Sequence, residues 1–274
     1  MFRSIIAIGF WVLAAVPGQA QMSENVDRLA HALGLPEIIQ VMRDEGLGYG
    51  SDLAENMFPG RNDSAWGQVV IGIYDLDRMA EIALAGFADS IDEADIPMLT
   101  AFFESPLGVE IVKLEISARI ALMDDAVDAA NKANVVQLMA NESPRLALLQ
   151  RFIEVNNLLE SNVVGALNSN YAFYTGLVEG GAYEEPISED QILSDVWEQE
   201  ADIRQDTSEW LFGFLSMAYS PLSDADMAAY IELSETDAGQ ALNTALFAGF
   251  DEMFVEISHA LGLAAARIMA SEEL

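Results

Sequence analysis

An all-α fold is predicted for this chain of 274 residues by three observations. Apolar residues recur at helical intervals behind residues suited to cap a helix, alternating β-branched runs flanked by hairpin turns are absent, and one helix-break-helix signal is written twice. The repetition leaves two forms of the prediction open: two similar helical domains from an internal duplication, or one large helical domain with a shared core.

The elements follow in order. The first twenty residues, MFRSIIAIGFWVLAAVPGQA, place Arg3 ahead of an apolar run from Ile5 to Val16, then Pro17 and Gly18 before the small Ala20. This is the layout of a signal peptide cleaved after Ala20, and the run falls short of the about 20 apolar residues that span a bilayer. Residues 1–20 are thus expected to direct export to the periplasm or beyond, as a secreted protein. No stable membrane insertion is expected after cleavage, because charged residues interrupt every later apolar stretch. Helices are expected near 23–34, 36–57 with a break, 63–88, 92–104 and 106–140, forming a first helical repeat over 21–140. A second repeat over 141–274 should place helices near 144–178 with a break, 188–218, 223–235 and 237–270. Pro36, Ser143 before Pro144, and Ser188 with Gln191 three residues on mark helix starts.

The repeat is seen by setting Ile91 on Leu222, so that IDEADIPMLTAFFESPLG lies over LSDADMAAYIELSETDAG. Identities fall at Ala94 and Ala225, Asp95 and Asp226, Glu104 and Glu235, and Gly108 and Gly239. Asp92 and Ser223 are placed to cap a helix, with Asp95 and Asp226 three residues on, as in a capping box. Ser105 and Thr236 can cap again, Pro106 suits a first helical position, and Asp237 suits the positive end of a helix dipole. Ile96, Leu99, Phe102 and Phe103, then Leu107, Ile111 and Leu114, form the apolar face. Trp66 and Trp197 hold the same register. Further upstream RLAHAL at 28–33 resembles RLALLQ at 145–150 at a shorter offset, which an insertion in the second half would explain, where the loop 178–188 is longer than its counterpart 58–64.

Composition narrows the function. With 45 Asp plus Glu against 12 Lys plus Arg, the net charge is −33. Nucleic acid and anionic membranes are bound by concentrated positive charge, so neither is an expected partner. The acidity fits a hydrated exterior surface, or attraction to divalent cations and basic partners. The absence of cysteine removes disulfides, thiolate metal sites and a thiol nucleophile. The 12 methionines suit flexible core filling.

Candidate chemistry is sparse. Glu256 and His259 form a Glu-x-x-His step, the spacing of a di-iron bundle, but the other histidine, His31, follows Arg28 instead of a carboxylate. The equivalent positions in the first repeat are Asp125 and Asp128. Asp124 with Asp125, Glu184 with Glu185, and Glu200 with Asp202 are paired acids; two acids at the right separation could hydrolyse a glycoside, though an acidic chain makes such pairs by chance. No Gly-x-Ser-x-Gly elbow, phosphate loop, dinucleotide fingerprint or His-Glu-x-x-His occurs. No catalytic, cofactor-binding or metal-ligating residue is therefore assigned, and the chain is expected not to be an enzyme. Tyr171, Phe173 and Tyr174 beside the acidic loop EGGAYEEPISED read either as core or as an interface.

The acidic leader, the short aromatic helix and FFESPLG resemble an exported proteobacterial family, the domain of unknown function numbered twenty fifty-nine. Its motif of an aromatic pair followed by x-Ser-Pro-x-Gly falls on Phe102, Phe103, Ser105, Pro106 and Gly108. The second half departs from it, with Leu233, Ser234, Thr236, Asp237 and Gly239 at those places. The resemblance implies a helical periplasmic or secreted protein and no particular activity. The expectation is a non-catalytic interaction or structural module of the periplasm, monomeric or dimeric, with no protein partner identified. The alternative is a protein that binds a small ligand or a divalent cation on its acidic faces.

Overall fold

The computed structural model describes residues 23–58, 64–140, 143–183 and 185–270. The segment 1–20 with its cleavage point, most of the loop 58–64, and Glu184 lie outside the described residues. Among the described residues the fold is all-α, with thirteen helices and no strand. They are α1 (Glu24–Ala32), α2 (Leu35–Met57), α3 (Ser64–Ile73), α4 (Leu76–Ser90), α5 (Ile96–Phe103), α6 (Pro106–Leu122) and α7 (Asp125–Ala140). The second half contains α8 (Pro144–Val155), α9 (Leu158–Glu179), α10 (Glu189–Trp197), α11 (Glu200–Ala218), α12 (Asp224–Ser234) and α13 (Asp237–Ala270).

The long helices expected over 63–88, 106–140 and 188–218 are each interrupted once, and acids make two of the restarts. Asp75 accepts the Arg78 amide at 2.9 Å and opens α4, while Asp124 accepts the Ala126 amide at 2.9 Å and opens α7. The break expected within 36–57 is absent, because the glycines there serve packing. A Cβ on Gly46 would stand 2.0 Å from the Tyr74 ring, and one on Gly50 would stand 2.5 Å from Val70, so α3 and its end sit in a groove along α2. Asp92 caps a turn by accepting the Ala94 amide, and α5 begins only at Ile96. Ser223 and Asp226 form the expected capping box.

Six helices recur in the same order: α1 to α6 are followed by α8 to α13 in corresponding roles. In each half the first helix ends at a left-handed residue, Gly34 (φ 65°) and Asn157 (φ 49°). In each half the first helix packs on the fifth and carries an arginine that pairs with the acid ending the fifth, Arg28 with Glu104 and Arg151 with Glu235. Ser105 accepts the Gly108 amide at 3.2 Å, and Thr236 accepts the Gly239 amide at 3.0 Å. Both glycines admit the preceding turn so closely that a Cβ would stand 2.2 Å from the Phe102 carbonyl or 2.1 Å from that of Leu233. These matches favour another upstream pairing than the one the sequence suggests. Arg28 corresponds to Arg151, not Arg145, and buried Val26, Leu29 and Ala30 correspond to buried Leu149, Phe152 and Ile153. Arg145 instead donates to the carbonyls of Tyr219 and Leu222 at the end of α11. Trp66 and Trp197 also part company, since Trp66 is buried against Phe58 and Trp197 is 70% exposed at the end of α10.

The two halves share their core. Ile39, Trp66, Met79 and Ile82 of the first half cluster with Leu177, Met253, Ile257 and Leu261 of the second. Val26, Leu29, Phe87 and Leu99 cluster with Ala238, Leu242 and Ala245. A third cluster joins Ile111 and Ala118 to Leu149, Leu215, Tyr219 and Met227. The halves exchange contacts: α13 lies on α4, and α6 lies on α11. By length and composition α13 is apolar enough to cross a membrane, but it carries Asp251, Glu252 and Glu256 and lies along α4 and α9. Backbone meets backbone at both crossings. A Cβ on Gly249 would stand 2.3 Å from the Ala83 carbonyl, and one on Gly262 would stand 2.1 Å from that of Phe173.

Candidate functional site: a cavity between the two halves

A cavity of about 520 Å³ opens where α6, α11 and α12 approach α9 and α13, with the α1–α2 corner closing one side. Its wall is largely apolar and aromatic, including Phe152, Trp210, Phe214 and Phe250. Such a size and lining are typical of small-molecule pockets, which run about 300–1,000 Å³.

Most polar groups on the wall are already engaged. Asn162 donates to the Leu158 carbonyl at 2.7 Å, Asn243 to the Asn156 carbonyl at 2.5 Å, and Ser234 to the Tyr230 carbonyl at 3.1 Å. Arg119 holds Glu45 of α2 through two bonds of 2.8 Å, and its guanidinium lies 5.8 Å from the centre of the Trp210 ring. Its charge is therefore spent within the protein.

Glu115 is different. It is part-buried on α6 and lines the cavity. The Tyr219 hydroxyl donates to Oε1 at 2.6 Å and the Tyr230 hydroxyl to the same atom at 3.4 Å. Oε2 receives no hydrogen bond from the described residues. The two phenols belong to an aromatic nest in which the Tyr230 ring lies 4.9 Å from Phe152 and 5.9 Å from Phe102. Burial pushes the Glu115 carboxyl up to about 7, against the opposing pull of the two phenol hydrogen bonds. Burial and the neighbouring carboxylate likewise hold Tyr219 and Tyr230 well above the usual phenol range, so both remain donors. A second acid, Asp251 of α13, faces the cavity and is also raised by burial. Gly165 of α9 makes room for it, since a Cβ there would stand 2.6 Å from Asp251 Oδ1.

The residues singled out from sequence lie elsewhere, and the structure keeps them apart. Glu256 pairs with Arg78 of α4 at 3.0 Å, while His259 meets Glu179 of α9 at 2.9 Å, so the Glu-x-x-His step serves two separate helix ties. His31 is exposed on α1. Asp128 pairs with Lys132 at 2.8 Å, Asp124 caps α7, and Glu200 pairs with Arg204 at 2.7 Å. Among the described residues no group of three or more histidine or acidic side chains is gathered to hold a metal ion. Phe173 and Tyr174 pack against the first core cluster, and Tyr171 donates to Glu189 at 3.0 Å.

Sequence reasoning missed Glu115, although the repeat register carries its signal. At the offset of 131 that sets Ile91 on Leu222, Glu115 lies over Leu246 and Asp251 over Ile120. Each half puts an acid where the other has an apolar residue. Tyr219 and Tyr230 likewise lie over Ala88 and Leu99, so the trio around Glu115 is built only once.

The family model described as uncharacterized protein conserved in bacteria (DUF2059) matches residues 77–135. The matched segment runs from α4 into α7 and includes both FFESPLG and Glu115. The resemblance on Phe102, Phe103, Ser105, Pro106 and Gly108 is therefore to this family. No curated protein and no solved structure matches the chain.

Proposed function

We propose that this protein is an exported, non-catalytic binding protein that holds a small, mainly apolar molecule in the cavity between two halves derived by internal duplication. The observation that carries the reading is the aromatic cavity of about 520 Å³ with, on its wall, a carboxylate whose Oε2 receives no hydrogen bond from the described residues. Apolar packing supplies affinity in such a site, and a few polar groups set orientation. The signal-peptide layout of residues 1–20 supports export, and the matched caps, left-handed corners and Arg–acid pairs support duplication.

Titration with the solvatochromic dye Nile red tests this reading. The mature chain should enhance and blue-shift the dye with saturation at one equivalent. Leu246→Trp, which places a large ring at the cavity wall, should abolish that response while leaving the far-UV circular dichroism of the fold unchanged. Equal dye binding by the two folded proteins would place the dye elsewhere and remove the support.

A further inference from the structure

The chemistry of the cavity wall points to the head group of its occupant. The inference rests on the cavity being a ligand site. Among the described residues three charged side chains line it, Glu115, Arg119 and Asp251, and Arg119 is paired with Glu45. The charge left to face a ligand is negative. Glu115 is also directional: both phenols converge on Oε1, which leaves Oε2 to accept from whatever enters. Around it stand the Tyr230 and Phe152 rings, whose π faces attract a cation as well as apolar surface.

We infer that the cavity takes an apolar amine, an aryl- or alkyl-ammonium whose charged nitrogen donates to Glu115 Oε2 while its hydrocarbon body lies among the aromatic residues of α8, α11 and α12. Among the described lining residues an anionic amphiphile meets two carboxylates and one arginine already paired with Glu45. A neutral alcohol can donate one hydrogen bond but gains no charge pairing, and a charge-assisted hydrogen bond is roughly twice as strong as a neutral one. A protonated amine answers both features of the wall. In the complex it replaces the proton that the buried carboxyl otherwise retains near neutrality, so binding at neutral pH releases that proton to solvent.

Two phenols bond Glu115, and two further charged groups share its cavity. Tyr219 at the end of α11 and Tyr230 of α12 remain protonated; Arg119 on its own helix is tied to Glu45 of α2; Asp251 approaches from α13. The part of α5 that reaches the nest is Phe102 and Phe103, which carry no charge.

The test uses the mature chain and three probes of one shape, phenylbutylamine, phenylbutanol and phenylbutyrate, measured by isothermal titration calorimetry at pH 8. The amine should bind about tenfold or more tighter than the alcohol, with the carboxylate weakest. Glu115→Gln should erase the preference for the amine while retaining the alcohol, and Asp251→Asn should retain much of the preference. The wild-type ranking decides the matter even where a variant folds poorly. Alcohol or carboxylate binding as tightly as the amine overturns the head-group assignment but leaves the cavity a ligand site. Binding of none of the three, together with failure of Nile red, overturns both.

Discussion

At the scale of the residue, Glu115, on which the proposed recognition of an amine rests, also bears on stability. Its carboxyl is pushed up to about 7 in the folded protein from an ordinary value of 4.5, so the folded state holds a proton that the unfolded state has lost between those values. The associated stability is full below pH 4.5 and is lost as pH rises through 7. Ionisation of this one group should cost up to roughly 3 kcal/mol by pH 8. Glu115→Gln, neutral at every pH, should therefore gain on the wild type between pH 5 and pH 8, as read by urea denaturation at the two values. A constant difference would show that Glu115 ionises freely in the fold. The residue was legible only by extending the repeat register into α6, where an acid stands over a leucine. Its phenol partners were not legible at all, because Tyr219 and Tyr230 come from two other helices and only packing brings them to one oxygen.

At the scale of the element, caps were the legible features and breaks the illegible ones. Ser105, Thr236 and Ser223 act locally on amides three residues on, so sequence spacing alone locates them. The interruptions at Asp75 and Asp124 were missed because an aspartate inside an apolar helical pattern reads equally as a solvated position or as an N-cap. The glycines of α2 misled in the other direction, since they mark grooves for Val70 and Tyr74 and not a bend. The same use of glycine makes the α4–α13 crossing fragile. Gly249→Ala puts a methyl group against the Ala83 carbonyl and must push two backbones apart, at a cost of about 2–4 kcal/mol. Gly72→Ala, a helical position with open space around it, should be neutral or slightly stabilising in the same chemical denaturation series.

At the scale of the molecule, composition and periodicity identified the fold class, and the internal alignment pointed to two similar halves. The exchange of partners between the halves was hidden, because amphipathic helices advertise an apolar stripe without naming its neighbour. The consequence is a chain with no self-sufficient half. Residues 21–236 lack α13 and leave Met79, Ile82 and Phe87 without their cover, so this fragment should be helical but unable to unfold cooperatively, which calorimetry would show as the loss of the thermal transition. Ala83 and Gly249, which meet at the α4–α13 crossing, stand 166 positions apart. Contacts so distant form late, because a long loop must close before they contribute. During synthesis the two clusters that include α13 residues thus stay open until that helix has left the ribosome, whereas the cluster of Ile111, Leu149, Leu215 and Met227 needs none of it. The side of the molecule built on the α4–α13 crossing stays loose for most of synthesis, and α13 acts as the latch that closes it.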